Sequence, residues 1–407
     1  MHPDLWTVPG TGFTITSYGF CMLLGFALAV WIASVRARRA QGDPGVITTV
    51  ALLGLAAGLI GSRAMHLVHY CWGALRGGQM GVTDVAAMGG GGEIMGGVLL
   101  AFAVVVVYLA LKRRSIRLYL DIIMPSVILA MGIGRIGCLM FGCCWGETCT
   151  TDSRDRALPW AVRFPYGSPA YVHHWQQGEL DVPGELMWVS PVTKQREPFP
   201  RRLLSDPALA DERLAGFAAL GQEMAALERA EPDHPRLAEL RNRMRTLGPS
   251  LPGRDEAQRF AYVAAARRLH ELASRSGGSV SGALAEVRAL AAQQHSLWVH
   301  PTQVYDAIGL VLLFLVLSAI LRRRRRHGVV VAWGMILYSI SRFLQEMVRA
   351  DNPRDVAGLT VSQFLSLAVL LLGVVYLVLI LKVLPEQSPA AQRAGASGSF
   401  DSAERSN

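Results

Sequence analysis

The stretch Met131–Gly146 reads MGIGRIGCLMFGCCWG, and it joins the end of an apolar run to a cluster of small residues and thiols. Arg135 lies inside it, with apolar or glycine neighbours on both sides. An arginine near the centre of a membrane helix costs about 2.5–3.5 kcal/mol on insertion scales, so it normally has a partner or a function. Two interpretations follow: Arg135 binds an anion, which we favour, or it only pairs with another helix.

The composition is that of a polytopic membrane protein. Of 407 residues, 51% are hydrophobic and only 17% are charged, which departs from the usual soluble domain. The formal net charge is +9, but the basic residues cluster beside apolar runs and are not interleaved with aromatic residues. They therefore indicate membrane topology and not a nucleic-acid surface.

Seven apolar runs are close to the roughly 20 residues that a helix needs to cross the hydrocarbon. The sequence thus predicts an all-α integral membrane protein with about seven transmembrane helices. The first run lacks a preceding basic segment and cleavage site, so we expect it to be retained and not removed as a signal peptide. The runs lie at about 14–35, 46–70, 94–111, 119–141, 303–321, 328–348 and 361–384.

Basic clusters set the expected orientation of these helices. The clusters follow the first, third and fifth runs, at 36–39, 112–117 and 322–326. The positive-inside rule assigns these alternate loops to the cytoplasm. The N-terminus is then outside, the C-terminus is cytoplasmic, and the long segment between the fourth and fifth runs is exported.

This topology divides the chain into four regions. We expect transmembrane helices 1–4 in residues 1–141, an exported head with a helical insert in 142–300, transmembrane helices 5–7 in 301–384, and a disordered cytoplasmic tail in 385–407. Helical periodicity between 207 and 294 predicts about four amphipathic helices. The insert is either a solvated spacer or a surface that binds a partner.

Unusual polar residues from six predicted helices fall at one depth, near the outer leaflet. Arg342, Glu346 and Arg349 are at i, i+4 and i+7 and share one helix face. With Arg135 they form a site whose guanidinium groups match phosphate oxygens. The alternative is a salt-bridge network that only fixes the helix bundle. Other residues at this depth are Tyr18, Arg63, His66, His69, Gly89–Gly92, Gly96, Gly97 and His300–Tyr305.

Two short motifs each have a binding and a structural interpretation. The glycines between residues 89 and 97 let a ligand approach the backbone, and successive N–H groups there can cradle an anion. The motif HPTQVY at 300–305 either starts and caps a helix or supplies His300, Gln303 and Tyr305 as substrate contacts.

Four cysteines, Cys138, Cys143, Cys144 and Cys149, crowd into the second half of the opening stretch and the residues just beyond it. Exported thiols usually form disulfides, which is the favoured interpretation. The others are a zinc site, although no CxxC pair is present, reactive thiols activated by Arg135, and inert packing. We predict no metal and no cofactor.

Several motifs together resemble the bacterial prolipoprotein diacylglyceryl transferase family, in a cysteine-rich and divergent branch. The resemblance covers most membrane segments, and the insert at about 170–298 lies outside it. The motifs are GRIG at 134–137, HPTQVYD at 300–306, SRFLQEMVRAD at 341–351, LTVSQFLS at 359–366, ITSYG at 15–19 and the glycine-rich segment 89–97.

The resemblance implies a seven-helix fold with a periplasmic head in the bacterial inner membrane. It implies that phosphatidylglycerol donates its diacylglyceryl group to the lipobox cysteine beside the signal peptide of a prolipoprotein, forming a thioether and releasing glycerol phosphate. Arg135 would then hold the phosphate. The predicted catalytic residues are Arg135, Arg342 and Glu346, and the predicted substrate-binding residues are Arg135, Tyr18, Gly96, Gly97, His300, Gln303, Tyr305 and Arg349.

The sequence departs from the common family pattern at three places. Met95 stands before two glycines where family members usually have a histidine that is a candidate base. Cys138 replaces an asparagine, and Phe141-Gly-Cys143 replaces Asn-Gly-Glu. The base is therefore unassigned. Glu93, Glu346, His66 or His300 supplies it, or none is needed.

Other functions compete with this one. A divergent paralogue would use another acceptor or lack activity, and a phospholipid-binding or transport protein would use the same pocket without chemistry. A thiol redox protein would use Cys143 and Cys144, but the pair is adjacent and has no CxxC spacing.

Overall fold

The structure is a computed structural model that describes residues 4–7, 14–40, 42–68, 94–151, 156–253, 256–350 and 358–383. Several predicted features lie outside the described residues, namely Gly89–Gly92, Glu93, His69 and the tail 385–407. The chain forms two compact units. Phe141–Pro301 make up the insert unit, and the described residues before and after it make up the membrane unit.

Helices dominate both units, and the described residues also form three two-stranded antiparallel sheets. The sheets pair β1 with β2, β3 with β4 and β5 with β6. In chain order the elements are β1 Asp4–Thr7, β2 Thr14–Thr16, α1 Ser17–Arg39, α2 Pro44–His66, α3 Ile94–Leu111, α4 Ile116–Phe141, β3 Thr150–Thr151, β4 Arg156–Ala157, α5 Pro169–Gln176, β5 Met187–Val189, β6 Arg196–Pro198, α6 Arg201–Ser205, α7 Glu212–Ala230, α8 Arg236–Leu247, α9 Glu256–Ser276, α10 Val280–Gln293, α11 Thr302–Arg323, α12 Val329–Glu346 and α13 Val361–Val383.

Five helices of the membrane unit, α1, α2, α4, α11 and α13, are long and apolar enough to cross a membrane. Helix α3 holds a shorter apolar stretch, Met95–Leu111. Helix α12 is not among the five, and the charged Arg342 and Glu346 lower its hydropathy. All seven predicted apolar runs therefore form helices, five of them meet the length and composition of a span, and a count of seven spans stays a prediction.

Glycines bring α2 and α3 into backbone contact. A Cβ added at Gly97 would lie 2.7 Å from the carbonyl oxygen of Gly58, and one added at Gly96 would collide with Gly61 and Met65. Small residues at such positions let two helices approach closely in a membrane. Helix packing is therefore sufficient to require glycine at Gly96 and Gly97, and their predicted role in substrate binding stays a prediction.

Helix α12 begins against a buried carboxylate of α4. Asp121 accepts hydrogen bonds from the backbone N–H groups of Gly328 (2.7 Å) and Val331 (3.0 Å). Its Oδ2 atom also lies 3.0 Å from Nη1 of Arg324. Gly328 has φ +101, a conformation that favours glycine. Asp121 thus caps α12 from a neighbouring helix and fixes the start of α12 against α4.

The insert unit has its own hydrophobic core. Tyr171 is fully buried, and Trp188 stacks on Phe199 with ring centroids 5.5 Å apart. The hydroxyl of Tyr166 donates to the carbonyl of Phe199 at 3.0 Å. Helices α7, α9 and α10 contribute buried residues to this core. The predicted helices between 207 and 294 are therefore confirmed, and the role of the insert, as a spacer or as a surface that binds a partner, stays a prediction. Its exported location stays a prediction.

Candidate functional site

Arg135 forms an ion pair with a residue that sequence reasoning did not include in the site. Its Nε atom lies 3.0 Å from Oδ2 of Asp306, whose side chain is only 2% exposed. Arg135 comes from the last third of α4, and Asp306 comes from the second turn of α11. A buried carboxylate is stable only beside such a partner, because removing a lone charge from water is costly. Asp306 ends the motif HPTQVYD, and an acidic residue in an apolar span was the signal that could have identified it.

A second ion-pair cluster lies on α12 and just beyond it. Oε2 of Glu346 is 2.8 Å from Nη2 of Arg342 and 3.8 Å from Nη1 of Arg349. The Glu346 side chain is fully buried, and those of both arginines are largely buried. The predicted helix face is therefore present, and it brings two guanidinium groups to one carboxylate.

The start of α13 completes this cluster. Thr360 donates from Oγ1 to Oε1 of Glu346 at 3.1 Å, and Ser362 accepts a hydrogen bond from Arg342 at 3.2 Å. Thr360 is held by a capping box: its Oγ1 accepts the N–H of Gln363 (3.2 Å), and Oε1 of Gln363 accepts the N–H of Thr360 (3.0 Å). Sequence reasoning missed these residues because only the fold brings α13 to α12.

Tyr338 lies near both ion-pair clusters. It is partly buried, and its phenol is within electrostatic range of Arg342, Arg135, Asp306 and Glu346. Helices α4, α11 and α12 therefore bring their charged groups to one place in the membrane unit. With Arg349, the group has three guanidiniums and two carboxylates, so it carries a net positive charge.

One donor of this group has no partner among the described residues. Nη1 of Arg342 is buried and makes no hydrogen bond to any of them. A buried donor without an acceptor costs about 1–3 kcal/mol, so a ligand oxygen at this atom would be favourable. Arginine presents several N–H donors in a planar fork, which suits phosphate and carboxylate oxygens.

The remaining predicted binding residues occupy different surroundings. Tyr18 is the second residue of α1 and is 39% exposed. Its backbone lies against Gly137 of α4, where an added Cβ would be 3.0 Å from Cα of Tyr18. Gln303 is buried in the first turn of α11, and Tyr305 is partly buried there. His300 belongs to the insert unit, where its N–H donates to the carbonyl of Glu147 at 3.0 Å.

Cys149 of the insert unit does not resemble an activated nucleophile. Cys149 is a buried free thiol whose Sγ lies 3.9 Å from the carbonyl oxygen of Glu147. Burial raises the pKa of the Cys149 thiol, so less of it is thiolate at neutral pH. Cys149 is thus not part of the favoured disulfide. Cys144 has φ +61. A disulfide among the other cysteines of the cluster stays a prediction.

Comparison with known proteins gives one consistent result. The family model described as prolipoprotein diacylglyceryl transferase matches residues 3–379. A phosphatidylglycerol–prolipoprotein diacylglyceryl transferase of Rhodopirellula baltica is 27% identical over 411 residues, covering 96% of this chain and 78% of the relative.

Shorter matches carry the same printed name. The protein of Corynebacterium glutamicum is 28% identical over 157 residues, covering 37% of this chain and 46% of the relative. That of Clostridium tetani is 28% identical over 136 residues, covering 33% of this chain and 53% of the relative.

Proposed function

The chain belongs to the prolipoprotein diacylglyceryl transferase family, and from that premise we propose that it transfers the diacylglyceryl group of phosphatidylglycerol to the lipobox cysteine thiol of prolipoproteins. It is a transferase of lipoprotein biosynthesis, as its relatives' names state. The proposal names phosphatidylglycerol as the donor, the lipobox thiol as the acceptor and glycerol phosphate as the leaving group. It also includes the bacterial inner membrane as the location, with a periplasmic N-terminus and a cytoplasmic C-terminus.

The observation that supports this proposal best is the meeting of two arginine–carboxylate pairs around Tyr338. Arg135 with Asp306 and Arg342 with Glu346 supply guanidinium groups from two different helices. The phosphate of the donor lipid would lie between them and accept hydrogen bonds from both, including the free Nη1 of Arg342. Their carboxylate partners hold the guanidinium groups in place.

The reaction forms one bond to sulfur and breaks one bond to oxygen. The lipobox sulfur attacks the glyceryl carbon that carries the phosphate ester, and the carbon–oxygen bond opposite the sulfur breaks. The electron pair of that bond leaves with an oxygen of glycerol phosphate, and the thiol proton passes to a base. Arg135 and Arg342 would stabilise the departing phosphate, as fixed donors stabilise developing charge in other active sites.

Glu346 is better suited to positioning than to proton transfer. One carboxylate oxygen accepts from Thr360, and the other faces Arg342 and Arg349. We therefore assign Glu346 to holding the two arginines. An ordinary cysteine thiol has a pKa of about 8.5, and neighbouring guanidinium groups favour its thiolate. The base stays unassigned, and the guanidinium groups alone could favour the thiolate enough that none is needed.

The test is a transfer assay with the detergent-solubilised full chain, phosphatidylglycerol and a synthetic lipobox peptide, read as the mass increase of the peptide. We expect wild-type transfer, and a fall of about 10²–10³-fold or more in Arg135→Ala and in Arg342→Ala. Arg38→Ala, which removes an exposed arginine, is the matched control and should retain full activity. Wild-type turnover by Arg135→Ala would overturn the assignment.

A second function, lipid binding without transfer, is favoured by Met95 in the place of the usual histidine. It predicts that the wild type binds phosphatidylglycerol but leaves the peptide unmodified. Met95→His, on the exposed first turn of α3, would then restore or raise transfer. An unmodified peptide with wild type and a modified one with Met95→His would favour this second function.

A further inference from the structure

Helices α1 and α11 end beside each other in a cluster of arginines that forms no ion pair with any carboxylate of the described residues. Arg36 of α1 donates from Nη2 to Oγ of Ser318 on α11 at 2.7 Å, and its guanidinium lies 5.1 Å from the ring centroid of Phe314. Arg39 lies about one turn beyond Arg36 on α1, Arg322 lies about one turn beyond Ser318 on α11, and both charges act on the Arg36 guanidinium. Three guanidinium groups therefore share one place, and Arg36 is held against α11 by two contacts.

These charges are not neutralised within the part of the chain that the structure describes. Arg39 and Arg322 are exposed, and no described carboxylate forms an ion pair with them or with Arg36. Asp43, the acid in the loop after α1, is 3.6 Å from Arg114 and caps α2 through the N–H of Gly45. Like charges held together repel, so a bound anion would stabilise this arrangement.

Arg36 also has an unsatisfied donor. Its Nη1 atom is buried and has no hydrogen-bond partner among the described residues. A basic cluster that only sets membrane topology needs no ordered side chain, since exposed arginines perform that function equally well. Arg38 on the same helix is such an arginine, because it is exposed and makes none of these contacts. The ordering of Arg36 therefore points to a ligand.

The location of the cluster identifies the chemistry of that ligand. Asp306 and Arg322 are sixteen positions apart on the same helix, which corresponds to about 24 Å at 1.5 Å per residue. That length approaches the hydrocarbon thickness of about 30 Å. The cluster thus lies near the opposite leaflet from the Arg135–Asp306 pair, at the depth of lipid headgroups. The anion present in quantity at that depth is a phospholipid phosphate.

We propose that Arg36, Arg39 and Arg322 form a binding site for a phosphate group, that of an anionic phospholipid in the leaflet opposite to the transfer site. Arg36 donates hydrogen bonds to the phosphate, and Arg39 and Arg322 neutralise its charge. The bound lipid joins the end of α1 to the end of α11 and offsets the repulsion between their arginines.

Native mass spectrometry of the full chain in neutral detergent, titrated with dioleoylphosphatidic acid, tests the proposal. We expect Arg36→Gln to weaken one lipid-binding event about ten-fold, and Arg322→Gln to weaken it about five-fold, the effect of one basic residue near an anionic surface. Arg322 is exposed and forms no hydrogen bond or ion pair with a described residue, so Arg322→Gln tests the site even if Arg36→Gln fails to fold. Arg38→Gln is the matched control and should change the affinity less than about two-fold.

Two further arms identify the source of the phosphate. Phosphatidylcholine should show no dependence on Arg36, and millimolar inorganic phosphate should not displace the lipid. Equal losses in Arg322→Gln and Arg38→Gln would overturn the site and leave only a topological charge cluster. Displacement by inorganic phosphate, or equal binding of phosphatidylcholine, would overturn its assignment to an anionic lipid.

Discussion

The two ends of α11 show how different neighbours give the same residue type different roles. Near its start, Arg135 meets Asp306, and Arg342 meets Glu346 close by. Near its end, Arg36 and Arg322 lie together with no acidic partner among the described residues. Arginines in ion pairs are held in place by their carboxylates, and only some of their N–H groups remain to donate hydrogen bonds to a ligand. Unpaired arginines repel each other and depend on an anion from outside the chain.

Asp306→Ala should give the largest effect on the paired end. It leaves Arg135 buried without a counter-charge, and breaking a buried pair costs about 3–5 kcal/mol in the free energy of unfolding. We expect a large fall in thermal midpoint, measured by fluorescence in detergent, together with loss of peptide transfer.

The double variant Arg135→Met, Asp306→Leu separates stability from catalysis. Replacing both charges by apolar side chains should recover most of the lost stability, because no charge is left unpaired. Transfer should stay absent, since the phosphate loses Arg135. Recovery of both properties would show that this ion pair only holds the helix bundle.

Asp121→Asn should have a smaller effect, at the same end of the bundle as the unpaired arginines. Asn keeps one acceptor for the N–H groups of Gly328 and Val331 but loses the charge that faces Arg324. We expect a loss of about 2 kcal/mol in the free energy of unfolding, within the usual cost of a weakened buried hydrogen-bond set. Since Asp121 positions the start of α12, KM for phosphatidylglycerol should rise as well. An unchanged thermal midpoint would contradict the capping role of Asp121.

Thr360→Val should cost about 1 kcal/mol, because it removes one helix cap and one hydrogen bond to Glu346. The main readout is transfer kinetics, in which we expect kcat to fall more than stability does. Thr360→Ser keeps the hydroxyl and is the matched control. Equal kinetics in the two variants would mean that Thr360 does not orient Glu346.

Arg322→Gln should give the smallest change in the free energy of unfolding, and it should raise that free energy where the other variants lower it. In detergent free of anionic lipid it removes one of three mutually repelling charges, so we expect a gain of about 0.2–0.5 kcal/mol in stability, as for like-charge neighbours on a helix. A marked loss of stability would show that Arg322 has a structural partner, and the contrast between the two ends of α11 would disappear.

The arginines of the candidate site could be predicted from the sequence, but their partners could not. Arg135, Arg342, Glu346 and Arg349 are conspicuous because ionisable residues are rare in apolar runs and because three of them share a helix face. Asp306 carries the same signal, but it follows the motif HPTQVY, whose two interpretations, a helix start or substrate contacts, do not include it.

Two glycines of α3 and one cysteine show what a local sequence pattern cannot predict about tertiary contacts. Gly96 and Gly97 suggested a ligand cradle, yet their contacts with α2 explain them through close helix packing, which depends on a segment some forty residues earlier. Cys149 suggested an exported disulfide, but it is a buried free thiol, because pairing depends on which residues the fold brings within bonding distance.

The sequence alone determined the apolar helices, the helical insert and the family, because these follow from hydropathy, periodicity and motif order along the chain. Only the tertiary structure decided which charges become pairs. Arg135 lies among apolar and glycine neighbours and Arg36 lies in a basic cluster, but neither local sequence shows which arginine meets a carboxylate. The difference arises because a buried ion pair requires two distant segments to meet, and that meeting is a property of the packed helices.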